Sequence, residues 1–179
     1  RVKPAATNAF VYGFGLQVAF GVALWLICRI GRTTFNRSLT LFITSKFWNI
    51  GVLLGVGGIL AGDTTGHELL EMPRYAWPIL LLVGTLICAW SLVALHQRRE
   101  REFHVSQLFI LAGLLWFPWI YSAANILLHR ATARGVLQPL VYWWFGNNLQ
   151  WVCLASIALG AIFYFFPKAC ESPLPSRDQ

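Results

Sequence analysis

Four histidines, His67, His96, His104 and His129, are the side chains in this 179-residue chain best suited to grip a transition metal. A neutral imidazole nitrogen offers iron, copper or zinc a lone pair of the right character. None of the four lies in the middle of a long apolar run, and no two share a helix face at the spacing that a metal site uses. Solvated loop positions are therefore their expected role, although a same-side pair could clasp a haem or metal at the rim. His96 and His104 flank a basic turn, where lipid headgroups or a neighbouring subunit are the expected contacts. Cys28, Cys88 and Cys153 fall within apolar runs as small hydrophobes, and Cys170 sits in the tail. Their spacing fits no metal motif, and no disulfide is expected. On residue chemistry alone, neither a catalytic group nor a metal ligand is assigned.

The elements that would position such groups are plain. A helix advances about 1.5 Å per residue, so roughly 20 apolar residues are needed to cross a hydrocarbon layer about 30 Å thick. Five runs reach or approach that length: Phe10 to Ile30, Leu41 to Gly62, Ala76 to Leu95, Leu108 to Leu128 and Leu140 to Phe166. With 57% hydrophobic and 12% charged residues, the composition is that of an integral membrane protein. Continuous runs without two-residue alternation exclude a barrel, which leaves an all-α bundle of about five transmembrane helices.

The formal charge of +7 is spread over short loops and forms no single patch, so no nucleic-acid partner is expected. If the first span exits to the cytoplasm, the inner segments hold Arg29, Arg32, Arg37, Lys46, Arg98, Arg99, Arg101, Lys168 and Arg177. The outer ones hold Arg1, Lys3, Arg74, Arg130 and Arg134, and nine against five favours an N-terminus outside and a C-terminus inside. The loop from Asp63 to Arg74 then faces outward, and residues 169–179 form a polar cytoplasmic tail. The first apolar run is too long for a signal peptide. Because the chain starts at Arg1 and has only Met72 as methionine, it is expected to be processed or a piece of something longer.

Small residues mark expected helix contacts: Gly51 with Gly55 and Gly58 with Gly62 in the second span, Gly13 and Gly15 in the first, Ala155, Ala158 and Gly160 in the fifth. Pro118 is expected to kink the fourth span. Trp48, Trp77, Trp143 and Trp144 are expected at the membrane interfaces. Gln17, Asn125, Asn147, Asn148 and Gln150 are expected to hydrogen-bond between helices or to line a wet cavity, the former being favoured.

Two motifs carry a resemblance. Val141-Tyr142-Trp143-Trp144-Phe145-Gly146-Asn147-Asn148, followed after the fifth span by Tyr164-Phe165-Phe166-Pro167-Lys168, resembles the sixth helix of the catalytic subunit I of cbb-type (C-family) haem-copper cytochrome c oxidases. The family pattern there reads Trp-Trp-Tyr-Gly-His-Asn, then a helix ending Tyr-Tyr-Phe-Val-Pro-Lys. Arg1-Val2-Lys3-Pro4-Ala5-Ala6-Thr7-Asn8-Ala9 is similar to the Arg-Leu-Arg-Pro-Leu-His-Thr-Asn/Ser-Ala that opens the family's second helix. Weaker likeness at Gly62-Asp63-Thr64-Thr65, Trp77-Pro78, the turn Arg98-Arg99-Glu100-Arg101 and Asn125 fills the middle. The resemblance implies that the five spans correspond to helices two to six of a twelve-helix subunit.

Within those motifs the chain departs from the pattern. The family's copper-ligand histidine corresponds to Asn147, flanked by Trp143, Trp144 and Asn148, and its axial low-spin haem ligand to Ala6. An amide oxygen is a hard, weak donor and a methyl group is none, so neither replaces imidazole. The resemblance therefore implies haem b and copper for the family, and a degenerate or partial subunit, inactive alone, for this chain, acting in a respiratory membrane complex. No cofactor is assigned to the chain itself. The alternative is a fragment of an active oxidase that reduces oxygen with ligands supplied elsewhere; a small membrane transporter is the second alternative. Expected partners are the lipid bilayer, other membrane subunits or the rest of a longer subunit, and a c-type cytochrome subunit. The expected location is a bacterial inner membrane.

Overall fold

The computed structural model describes residues 1–33, 38–98, 104–129 and 134–171. Arg37, Arg99, Glu100, Arg101, Arg130 and Arg177, together with the tail beyond 171, lie outside the described residues. Five helices are long and apolar enough to span a bilayer among the described residues: α1 (Val2–Gly31), α2 (Ser38–Ala61), α3 (Trp77–His96), α4 (Val105–His129) and α5 (Leu137–Ala169). No strand occurs among the described residues. The all-α membrane bundle expected from the hydropathy is the fold.

α1 starts eight residues before the expected Phe10, and the polar Asn8 within that extension is buried and bonded inside the protein. Asn8, fully buried, donates through Nδ2 to the Pro4 carbonyl at 2.9 Å and to the Glu71 carboxylate. Pro4 falls within the first helical turn, where its missing N–H costs nothing. The other four helices begin and end within about three residues of the runs read from hydropathy, the ordinary uncertainty of helix ends.

α1 lies against all of the others, and α4 packs on α1, α3 and α5. Between them runs an aromatic column. Trp48 of α2 meets Phe20 of α1 at 5.2 Å, Phe20 meets Phe117 of α4 at 5.4 Å, and Phe117 stacks on Tyr121 at 5.3 Å. Tyr121 in turn meets Tyr12 of α1 and Phe145 of α5, each at 6.0 Å. Trp48 is thus a correction to the interfacial role expected of it: it is 2% exposed, and its indole N–H donates to the Tyr12 carbonyl at 2.9 Å. That carbonyl is part of the π-helical stretch Ala9–Gly15, whose wider turn leaves a backbone oxygen available to a neighbouring helix.

The glycines divide differently from the expected helix-contact pairs. A Cβ on Gly51 would stand 3.0 Å from Leu80 of α3, and one on Gly113 would stand 2.7 Å from the Cys153 carbonyl of α5, so these two serve helix packing. Gly55 and Gly58 instead accommodate Met72, Pro73 and Tyr75 of the loop that follows α2. Gly62, with φ +106°, ends that helix in a conformation other residues rarely adopt. Pro118 lies inside α4, which is helical on both sides of it.

Trp48→Phe keeps most of the ring contact but leaves the Tyr12 carbonyl without its indole donor, and should lower stability by about 1 kcal/mol. Phe117→Ala, which empties the middle of the column, should cost about 3–5 kcal/mol. Equilibrium unfolding of the detergent-solubilised protein by sodium dodecyl sulfate would give both values.

Candidate functional site

The residues singled out by motif lie at the end of the bundle that the loop 63–76 covers. Ala6 projects from the first turns of α1 and is exposed, whereas Ala5 and Asn8 on either side of it turn inward and are buried. Asn147 stands at the junction where α5 passes into its own π-helical stretch, Asn148–Leu154. It is half-buried, and its Nδ2 donates to the Trp143 carbonyl at 2.9 Å. Trp143 is 63% exposed and Trp144 is half-buried, two turns into α5.

The polar side chains of the spans mostly bond within their own helix, contrary to the interhelical role expected of them. Asn125 donates to the Tyr121 carbonyl at 2.8 Å, as Asn147 does to Trp143. A carboxamide four residues on reaches back to a carbonyl without help from a second helix. Asn148 alone of these joins two helices: it donates to the Trp144 carbonyl at 2.9 Å, and its Oδ1 accepts from Trp116 Nε1 of α4 at 3.1 Å.

The loop closes this end of the bundle. Tyr12, buried in α1, donates its hydroxyl to the Leu69 carbonyl at 2.7 Å. Leu69 has φ +63° and sets its side chain beside Gly146, where a Cβ would stand 3.2 Å from Leu69 Cδ1. Glu71 accepts from Asn8, and Thr64 and Thr65 donate to the Glu71 and Leu70 carbonyls. The loop is therefore wedged between α1 and α5, beside the two motif positions. Asn8, Tyr12, Glu71 and Trp116 were not singled out as site residues by motif, since their roles arise from contacts between distant segments. The Thr7-Asn8 pair inside the first motif was the available signal.

His67 and His129 lie at the same end of the bundle, near enough to interact electrostatically and with Arg74 beside them, whereas His96 and His104 lie at the other end. The His67 ring stacks on Tyr142 at 6.0 Å, and His129, at the end of α4, meets Trp77 at 6.4 Å. Neither is the solvated loop residue expected: both are half-buried, and the two ring nitrogens of His129 are buried without a bonding partner among the described residues. His104, at the far end of the bundle, has Nδ1 3.1 Å from Ser106 Oγ at the start of α4. His96 is exposed at that same end. Among the described residues no three His, Cys, Asp or Glu side chains gather as a metal site would require. Cys153 is engaged otherwise, donating to the Gly113 carbonyl at 3.3 Å. The donors at the two motif positions do not suit an imidazole-bound metal. Ala6 offers a methyl group, and Asn147 a carboxamide already tied to its own helix, with only a hard oxygen to spare.

Tyr12→Phe removes the hydroxyl that holds the loop at Leu69, and should speed proteolytic cleavage within residues 63–75 while leaving the helices intact. Burial holds the His67 imidazole below its ordinary pKa. The unfolded chain, with a value near 6.5, therefore takes up this proton first, so stability present above about pH 6.5 declines as pH falls through it. The melting temperature in detergent should drop between pH 7.5 and 5.5, by less in His67→Gln.

The whole chain has recognisable relatives. The family model described as cytochrome c and quinol oxidase polypeptide I matches residues 1–178. The cbb3-type cytochrome c oxidase subunit CcoN1 of Stutzerimonas stutzeri is 26% identical over 185 residues, which cover 98% of this chain and 38% of the relative. The cytochrome c oxidase subunit 1 homolog of Agrobacterium tumefaciens (strain T37) is 26% identical over 187 residues, covering 98% of this chain and 34% of that protein. That of Azorhizobium caulinodans is 24% identical over 184 residues, covering 98% and 33%. The chain thus spans about a third of the length of the curated relatives it matches. With a match from its first helix to its tail, and with five apolar helices in the order the motifs require, the chain belongs to the cytochrome c and quinol oxidase polypeptide I family of membrane proteins.

Proposed function

We propose that this chain is a degenerate or partial subunit I-like piece of a respiratory membrane complex, keeping the family's helical scaffold without its own haem or copper ligands. The observation that carries this reading is the pair of residues at the motif positions. Ala6 has no donor atom, and the amide of Asn147 is spent on the Trp143 carbonyl. A low-spin haem needs an imidazole at such a point, and a copper site built from imidazoles loses much of its affinity with one removed. Neighbouring motif residues are retained, which favours lost ligands over a shifted register.

In this reading the chain's residues serve assembly. The aromatic column and the clasped loop hold α1 and α5 in place, and the exposed faces of both helices, with Phe10, Phe14, Trp143 and Trp151 more than half exposed, lie against further helices of a longer or associated subunit. A c-type cytochrome subunit is a partner of the same complex. The charge distribution supports an N-terminus outside a bacterial inner membrane and a C-terminus in the cytoplasm.

A second reading, an active oxidase reducing oxygen with haem and copper held by other helices, is favoured by the length comparison, since about two thirds of each relative lies beyond the match. Copper retained by the isolated complex separates the two. In the first reading it is substoichiometric, and Asn147→His raises copper affinity by at least tenfold, the usual scale for a restored element of a metal site. Stoichiometric copper that is insensitive to residue 147 would overturn it.

A further inference from the structure

Three carboxamides of α5 stand level with the centre of the bundle. Trp116, the twelfth of the 25 residues of α4, donates through Nε1 to Asn148 Oδ1 at 3.1 Å, which sets Asn148 beside the middle of its neighbour. Asn147 and Gln150 lie within two residues of it, about 3 Å or less along the helix axis. Asn148 is used at both ends, since its Nδ2 donates to the Trp144 carbonyl and its oxygen accepts from Trp116. Asn147 is used at one end: its Nδ2 donates to the Trp143 carbonyl, and its Oδ1 has no donor among the described residues. Gln150 is exposed, and neither the nitrogen nor the oxygen of its amide has a partner among the described residues.

These loose ends say what can cover the face. Hydrocarbon offers nothing to an amide, so an acyl chain lying here would leave the Asn147 oxygen and the whole Gln150 amide unpaired at the depth where that costs most. The shape of the face narrows the choice further. Trp143, Asn147 and Trp151 follow one another at four-residue spacing, and both indoles project outward, Trp151 being 74% exposed. The free oxygen of Asn147 thus stands between two protruding rings, one turn to either side. A second copy of this chain would set indole against indole in either two-fold arrangement and hold the amides apart.

We propose that this face of α5 docks a transmembrane helix from outside this chain, one that carries a side-chain N–H or O–H donor at mid-span and small residues one turn to either side of it. The donor meets Asn147 Oδ1, the small residues receive the two indoles, and Gln150 offers both a donor and an acceptor at the edge of the contact. Polar side chains and small residues are what bring helices together within a bilayer, where apolar surface alone gives no preference for protein over lipid. About two thirds of each relative lies beyond the match, which leaves ample chain to supply such a helix. The inference rests on the reading that α5 lies against further helices, and adds the chemistry of the helix that meets it.

The test uses the full chain with its partners in membranes. Trp151→p-benzoylphenylalanine, on irradiation, should form its adduct with one peptide of another helix, and that peptide should hold a side-chain donor within one turn of the adduct, flanked by small residues. Gln150→Met keeps the volume of the side chain without its amide. It should lower about threefold the detergent-to-protein ratio at which half of the complex dissociates, the scale of one interhelical hydrogen bond in a membrane, and Asn147→Leu should do the same. Ser122→Ala, at an exposed hydroxyl bonded to the Trp119 carbonyl of its own helix, should leave that ratio unchanged. The circular dichroism of the chain should be the same in all three variants, because neither amide takes part in packing between its own helices. Adducts on phospholipid or on a second copy of this chain would overturn the docked helix, and unchanged dissociation in both amide variants would overturn its polar match. Neither readout depends on haem or copper, so these failures would leave the ligand-free reading standing, whereas an adduct with the mass of a porphyrin would overturn both.

Discussion

Within a bilayer no water stands ready to satisfy a stray polar group, so every amide and hydroxyl at depth must find its partner inside the protein. That constraint organises this molecule. The Trp48 indole is held by a carbonyl of the π-helical turn in α1, Tyr12 by the loop at Leu69, and Asn8 by Pro4 and Glu71. Each of these bonds joins segments far apart in sequence or turns a polar side chain back on its own helix. Together they tie the N-terminal turns of α1, the middle of α2 and the loop after α2 into one body around the aromatic column.

The same constraint bears on the two motif positions. A histidine at depth needs a role, because an imidazole without a metal or a hydrogen-bond partner is costly there. An alanine is comfortable facing outward, and an asparagine is satisfied by a carbonyl four residues back. An alanine at position 6 and an asparagine at position 147 are thus compatible with an intact fold, as the proposed loss of the metal ligands requires. The scaffold's stability rests on the column and the clasped loop, neither of which uses residue 6 or residue 147.

Much of the architecture was legible in the chain itself. Five apolar runs located five helices to within a few residues, except where α1 begins, because a buried Asn8 bonded to Glu71 reads as a polar break until the distant partner is known. The proposed site was legible as two motifs that carry Ala6 and Asn147. The identity of the contacts was not. Trp48 looked interfacial because it is an indole near the start of an apolar run, and only the tertiary approach of α1 shows a carbonyl waiting for it. Gly55 and Gly58 fit the small-residue pattern of helix pairs, yet the loop that returns over them contributes Met72, Pro73 and Tyr75. Periodicity gives helices and their faces, whereas loops that fold back across several helices leave no periodic trace.

The absence of imidazole at Ala6 and Asn147 is the point on which the functional reading turns. The most direct measurement is the reduced-minus-oxidised absorption spectrum, with haem and copper quantified, of this chain purified together with the helices and subunits that accompany it. The account predicts no low-spin haem signal and no stoichiometric copper that changes when residues of α1 or α5 are replaced. A bis-imidazole haem spectrum that vanishes on substitution within these two helices would contradict it.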